Sequence, residues 1–263
     1  MLQQEYKSGM INDLITSTGL GRDVITYHLD LSTLIDDFFS SAMEMGVHNI
    51  HMFGGTAINR AFFGKKQRFS IDIDVNYNGS AETGTKEITE IIKRAGYKAS
   101  DGEWMNMRHT LKRLAISPAS GRTANFIADV HFVREDDHTP FENLSLHSIT
   151  EFFGYPPTRS VVPSYKLEYL LSGKIFALKD RTTERDIYDT YMGLALPPDY
   201  KLLKKYIEEY ETFPQLVSVA THRLEKLMLE AKKISIARYI PSYCTTDLNL
   251  MASEINRMLL KML

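Results

Sequence analysis

The sequence predicts an α+β fold, with a mixed sheet and helices in the first part of the chain and an all-helical region after it. Three observations predict this. Short apolar runs rich in β-branched residues recur at 49–53, 71–77, 111–117 and 126–133. Helical periodicities precede and interleave with them. Beyond a composition shift at Gly154-Tyr155-Pro156-Pro157 and Pro163-Ser164, strand signals largely vanish. The expected organisation is a sheet domain over residues 1–155 and a helical domain over 156–263.

The elements follow in order. Leu29, Leu31, Leu34, Ile35, Phe38 and Phe39 recur at helical spacing, and Gly46 ends that run. Residues 49–53 suit a short strand that Gly54-Gly55 breaks. Thr56 is placed to cap a helix over 57–63, which stops at Gly64. The basic connection Lys65-Lys66-Gln67-Arg68 leads to the strand 71–77, ended by Asn78-Gly79-Ser80. Ile88, Ile91, Ile92 and Ala95 mark a helix over 86–95. Strands are expected at 104–108, 111–117 and 126–133, with the turn Pro118-Ala119-Ser120-Gly121 between the last two. Helices are expected over 165–178, 184–192, 200–210, 214–233 and 246–263, the last with a Met- and Leu-rich packing face.

Composition narrows the classes. With 263 residues, 43% hydrophobic and 24% charged, the chain has the make-up of a soluble globular protein. A net charge of -2 argues against a broadly basic, nucleic-acid-coating surface, though not against a local basic groove. Cys244 is the sole cysteine, which excludes an internal disulfide and a cysteine-rich zinc site and fits a reducing cytoplasm. No basic-then-apolar leader opens the chain, and no apolar run approaches a membrane span, so no membrane partner is expected.

The chemistry concentrates in Arg68-Phe69-Ser70-Ile71-Asp72-Ile73-Asp74-Val75. On a strand, Ile71, Ile73 and Val75 take one face and Asp72 and Asp74 the other. Side-by-side carboxylates repel unless a cation stands between them, and hard oxygen ligands suit Mg²⁺, which in turn holds phosphate oxygens. Gly54 and Gly55 precede the pair and let backbone N–H groups approach an anion at a helix start. Ser70 shares the strand face of Asp72 and either donates to a phosphate or caps a turn. Asp129, another Asp inside an apolar strand, reads as a satisfied structural residue or as a third metal ligand. His131 shares its face and reads as structural support.

In the helical region Lys174 stands on the apolar stripe of Leu167, Leu170, Leu171 and Leu178. It either snorkels or is a cation held for a triphosphate or a carboxylate. Asp186 and Asp189 share one helical face; they complement the helix dipole, or Asp186 holds Lys174 or assists an acceptor hydroxyl. Lys65, Lys66 and Arg68, then Arg108, Lys112 and Arg113, then Lys179, Arg181 and Arg185 are separate solvated charges or the lining of a nucleotide or RNA groove.

Gly54-Gly55-Thr56-Ala57, Arg68-x-Ser70-x-Asp72-Ile73-Asp74, Lys174 and Arg185-Asp186-Ile187-Tyr188-Asp189 together resemble the AbiEii-type nucleotidyltransferases. These are toxins of type IV toxin–antitoxin and abortive-infection systems. The resemblance runs along most of 48–192. It implies a DNA polymerase β-like nucleotidyltransferase core with an added helical region. By position it implies that Asp72 and Asp74, with Asp129, bind two Mg²⁺. Gly54, Gly55, Thr56, Arg68 and Ser70 would bind the nucleotide, with Lys174 on the triphosphate and Asp186 beside it. The opening is Gly-Gly where the wider superfamily has Gly-Ser, with Ser70 displaced to the carboxylate pair.

The leading expectation is Mg²⁺-dependent transfer of a nucleoside monophosphate from an NTP to an acceptor hydroxyl. The resemblance adds an RNA acceptor, above all a tRNA 3′ end, growth arrest as the outcome and a cognate antitoxin as partner. The alternatives are nucleotidylation of a small molecule or protein hydroxyl, and a catalytically silent nucleotide-binding module.

Overall fold

Among the described residues, the alternating and apolar runs assemble into one eight-stranded mixed sheet. The computed structural model describes residues 8–119, 125–133, 141–155, 159–229, 236–244 and 247–263. The strands are β1 (Ile50–Phe53), β2 (Asp72–Asn78), β3 (Tyr97–Ala99), β4 (Glu103–Trp104), β5 (Leu111–Pro118), β6 (Phe126–Val133), β7 (Phe141–His147) and β8 (Arg159–Tyr165). Their spatial order is β3-β5-β6-β2-β1-β8-β7, with β4 beside β5. Central β2 runs parallel to β6 and antiparallel to β1, which is parallel to β8. On β2, Ile73 and Val75 are buried, as the alternation requires, and Asp72 and Asp74 take the opposite face.

The helices are α1 (Ser8–Thr18), α2 (Arg22–Glu44), α3 (Gly54–Phe62), α4 (Ala81–Arg94), α5 (Leu167–Asp180), α6 (Glu184–Ala195), α7 (Tyr200–Glu208), α8 (Phe213–Leu229) and α9 (Leu248–Lys261). Leu34, Ile35 and Phe38 of α2 and Ile88 and Ile91 of α4 share a buried cluster with Ile73 and Val75. That cluster continues without a break through Leu171 and Ile175 of α5 to Met251 and Ile255 of α9. The Met- and Leu-rich C-terminal face is therefore core. Among the described residues no helix is long and apolar enough to cross a membrane.

The α+β expectation holds, with local differences. The helix after β1 begins at Gly54 rather than Ala57, and the Thr56 hydroxyl donates to the Asp72 carbonyl at 2.7 Å instead of capping. Helix α4 starts a turn earlier than its apolar spacing suggests, because the Ser80 hydroxyl caps it by accepting from the Thr83 N–H. The 104–108 strand is reduced to Glu103–Trp104, and a turn around Asn106 follows. The β7–β8 pair was not legible: β7 is largely exposed and β8 carries Pro163, so neither shows an apolar run. The sheet thus runs on to Tyr165, past the composition shift. Part of that shift (Pro156 and Pro157), the end of the 118–121 turn, residues 230–233 and Thr246 lie outside the described residues.

Candidate active site

The site forms where β1, β2 and β6 lie side by side beneath α5 and α6. Cα register pairs Phe53 with Asp74 and Asp74 with Asp129, so the residue before Gly54 and two carboxylates come into line across three strands. Gly54 has φ +73°, and a Cβ there would stand 2.1 Å from Asp74 Oδ2. Only glycine lets the first turn of α3 come this close to the carboxylate. Gly55 is as tightly placed: a Cβ would lie 2.3 Å from Arg68 Nη2 and 3.3 Å from Lys174 Nζ.

Lys174, 7% exposed, does not snorkel. Its Nζ lies 2.9 Å from Asp189 Oδ2 and 3.3 Å from Asp186 Oδ1. Asp189 also accepts two bonds from Arg68, at 2.8 and 2.7 Å, and one from Asn59 Nδ2 at 2.7 Å. Asn59 Nδ2 also donates to the Gly55 carbonyl, and its Oδ1 accepts from the Arg68 N–H. Two helices of the C-terminal region are thereby bolted to the glycine turn. Asp186 accepts from Arg181 at 2.8 and 3.0 Å and from the Thr183 hydroxyl at 2.5 Å. Burial alone would raise the Asp186 carboxyl, but Arg181, Lys174 and Thr183 hold it well below the usual carboxylate range. Burial likewise opposes ionisation of Asp189, and Arg68 and Lys174 outweigh it.

Asp74 goes the other way. Burial, then the charge of Asp72, push its carboxyl up to about 7 against the pull of Lys174. Asp72 stands 3.7 Å from Arg185 Nη1. Both oxygens of Asp129 are held by Arg113 of β5, at 2.7 and 2.6 Å. Among the described residues no three Asp, Glu, His or Cys side chains gather as a ready-made metal site. The donor set nonetheless fits Mg²⁺, which is commonly held by one or two carboxylates together with substrate phosphates. Asp72 and Asp74 would supply these, and Asp129 would join them only if its pair with Arg113 opened.

A cleft of about 750 Å³ holds Gly54, Asp74, Asp129, Arg113, Lys174 and Arg181 together. Tyr169, Phe176 and Tyr210 add an aromatic wall from the helical side. His131 also lines the cleft, edge-on to Phe53 at 4.6 Å, and burial lowers its pKa, so it is neutral near pH 7.

Of the expected residues, the structure brings together Gly54, Gly55, Asp74, Asp129, Lys174 and Asp186, with Asp72 at the margin beside Arg185. Thr56 and Arg68 face inward, bonded to the Asp72 carbonyl and to Asp189. Ser70 lines a different cavity, with Tyr27, Phe69 and Tyr239. Of the basic clusters, Arg113 and Arg181 reach the cleft, while Lys179 pairs with Glu211 and Lys112 lies over the Trp104 ring. Sequence reasoning missed Asn59 and the aromatic wall, and it did not single out Asp189 as the hub. The three-residue spacing of Asp186 and Asp189 was the available signal for the last.

A carboxylate pair beside a helix-start glycine turn, roofed by a buried lysine, is the arrangement of a nucleotidyltransferase. The family model described as "Nucleotidyl transferase AbiEii toxin, Type IV TA system" matches residues 48–243, and the chain belongs to that family. The structure is similar to MenT4, nucleotidyltransferase toxin Rv2826c from Mycobacterium tuberculosis H37Rv. That match has a TM-score of 0.62 at 15% identity and covers 97% of this chain and 90% of that one, a likeness of fold. A weaker match, TM-score 0.46 at 14% identity over 69% of this chain and 99% of that one, is to ANT(2")-Ia in complex with adenylyl-2"-tobramycin; nothing further rests on it. Comparison with curated proteins gave no match.

Proposed function

We propose that this nucleotidyltransferase acts with Mg²⁺ to move a nucleoside monophosphate from an NTP to a hydroxyl at an RNA 3′ end, above all that of a tRNA. The carrying observation is the shared cleft: Asp74 against Gly54 on one wall, Lys174 and Arg181 on the other. Family membership supports a growth-arresting toxin with a cognate antitoxin, working in the cytoplasm.

Asp72 and Asp74 would hold the metal, with Asp129 once Arg113 releases it. Bound there, Mg²⁺ supplies charge neutralisation at the phosphates. Lys174 and Arg181 face the triphosphate and oppose the charge that builds on the departing pyrophosphate. Asp186 and Asp189 position Lys174; with its pKa depressed, Asp186 is a poor proton acceptor and acts by orientation. The N–H groups of Gly54 and Gly55, at the start of α3, are placed for a phosphate. Arg68 and Thr56 act on the nucleotide site through Asp189 and the Asp72 backbone. In the transfer, the acceptor oxygen forms a bond to the α-phosphorus as the bond to the bridging oxygen breaks. The hydroxyl proton is lost, and pyrophosphate leaves.

Purified protein with Mg²⁺ and each α-labelled NTP should label tRNA, and Asp72→Ala should abolish labelling. Equal labelling by Asp72→Ala would overturn the assignment. The net charge of -2 favours a second reading, a small-molecule or protein acceptor. Offering tRNA, protein and aminoglycosides side by side decides between them.

A further inference from the structure

At the Asp72 end of β2, apart from the nucleotide cleft, lies a second cavity of about 380 Å³. Tyr27 of α2, Phe69, Ser70, Ile127 of β6 and Tyr239 form its walls, and Arg238 its rim. Its place beside the reaction centre follows from register. Ile127 is the Cα partner of Asp72 across β2 and β6, and Ile71, which also lines the cavity, is the residue before Asp72.

The walls are built in advance. The Tyr27 hydroxyl donates to the Ile71 carbonyl at 2.6 Å, and Phe69 stacks on His28 with ring centres 4.1 Å apart. The Phe69 N–H donates to the Tyr239 carbonyl at 2.7 Å, which ties the turn carrying Tyr239 to this segment. Arg238 is already matched by Asp23 at 2.6 Å, so the rim presents no free cation from that pair. Among the lining residues, one polar group stands out. Ser70 is 2% exposed, and its Oγ has no hydrogen-bond partner among the described residues. A buried hydroxyl of this kind is completed by a polar group on a ligand.

Asp23 and Asn125 also line the cavity. Aromatic and aliphatic walls with a few polar groups among them are the chemistry that receives a nucleobase: a face to stack on and an edge to hydrogen-bond. In-line displacement also requires the attacking oxygen and the leaving pyrophosphate to stand on opposite sides of the α-phosphorus. The cleft with Lys174 and Arg181 takes the pyrophosphate side, so the acceptor enters from the Asp72 side. We propose that this cavity is the acceptor subsite and takes the terminal nucleobase of the RNA acceptor, with Ser70 Oγ as its hydrogen-bond partner. This rests on the nucleotidyl-transfer reading given above, and it assigns Ser70 to the acceptor rather than to the triphosphate.

The test fills the cavity. Ile127, 38% exposed, can be enlarged to Trp from the sheet side, with circular dichroism and melting to confirm the fold. Ile127→Trp should raise the acceptor KM about tenfold, the scale of one lost base stack. Affinity for an α,β-methylene NTP should fall by less than the acceptor KM rises, since Ile127 lines the second cavity and not the cleft with Lys174 and Arg181. Ser70→Ala should raise the acceptor KM about threefold to tenfold, with Ser70→Thr restoring part of it, for loss of one hydrogen bond. An unchanged acceptor KM in Ile127→Trp, or NTP affinity falling as far as acceptor affinity, would overturn the proposal.

A second arm needs no transfer. Adenosine and cytidine should give saturation-transfer NMR signals with the parent protein that Ile127→Trp loses. If the parent labels no RNA, the RNA reading fails. If the nucleosides do not bind the parent, or bind Ile127→Trp equally, the acceptor subsite fails whatever the transfer result.

Discussion

At the scale of single residues, Gly54 and Asp74 define each other. The positive φ of Gly54 and its approach to Asp74 leave no room for a Cβ. Gly54→Ala therefore adds backbone strain of about 1–3 kcal/mol and displaces the carboxylate. NTP-dependent transfer should fall by at least about a hundredfold on the scale set by small misplacements of catalytic groups; near-parental rates would refute the packing described. Asp74 carries a cost of its own. Its folded pKa of about 7 lies above the ordinary carboxylate value, so the folded state holds the proton more tightly than the unfolded one. Its penalty is absent below the unfolded pKa, grows through the interval up to 7, and is constant above. In EDTA, Asp74→Asn should melt at a higher temperature than the parent at pH 8, and the gap should close toward pH 4. The same variant should not catalyse transfer. A lower melting temperature at pH 8 would show that Asp74 is already paired.

At the scale of elements, α6 is the piece that locks the site. Asp189 receives Arg68, Asn59 and Lys174, linking α6 to α5, to α3 and to the segment before β2. All three side chains are buried, so salt should screen these pairs little. Asp189→Ala leaves buried Arg68 without its carboxylate and Lys174 with Asp186 alone, and should cost about 3–5 kcal/mol in urea unfolding. A loss under about 1 kcal/mol, the range of surface pairs, would mean that the network is solvated. The depressed pKa values of Asp186 and Asp189 carry the opposite pH sign to Asp74. Their stabilisation is complete above the unfolded carboxylate pKa and is lost only as pH falls through the lower folded values. At this scale the sequence was legible where periodicity was strong. Strands β2 and β6 and helices α5 to α7 read from apolar spacing, whereas β7 is largely exposed and β8 carries Pro163, and neither shows such a pattern.

At the scale of the whole molecule, the buried apolar cluster runs unbroken from the sheet through α5 to α9. Sheet and helical region should therefore unfold in one cooperative transition by calorimetry. Two transitions separated by about 10 °C or more, several times the shift that about 1 kcal/mol produces, would mean that the shared core contributes little. This shared cluster also keeps Lys174 close to Gly55, so the helical half stands over the carboxylates.

The sequence by itself determined the chemistry. Two Asp on one strand face, a Gly-Gly turn, a lysine on an apolar stripe and an Asp pair on a helix are local patterns, set by periods of two and 3.6 residues. Tertiary structure alone decided who meets whom. It turned Arg68 and Asp189 into a buried hub and gave Asp129 to Arg113. It also placed Ser70 in a second cavity at the Asp72 end of β2. Those outcomes depend on strand order, register and helix docking, over 16 residues for Arg113 and Asp129 and 121 for Arg68 and Asp189, which no local periodicity encodes.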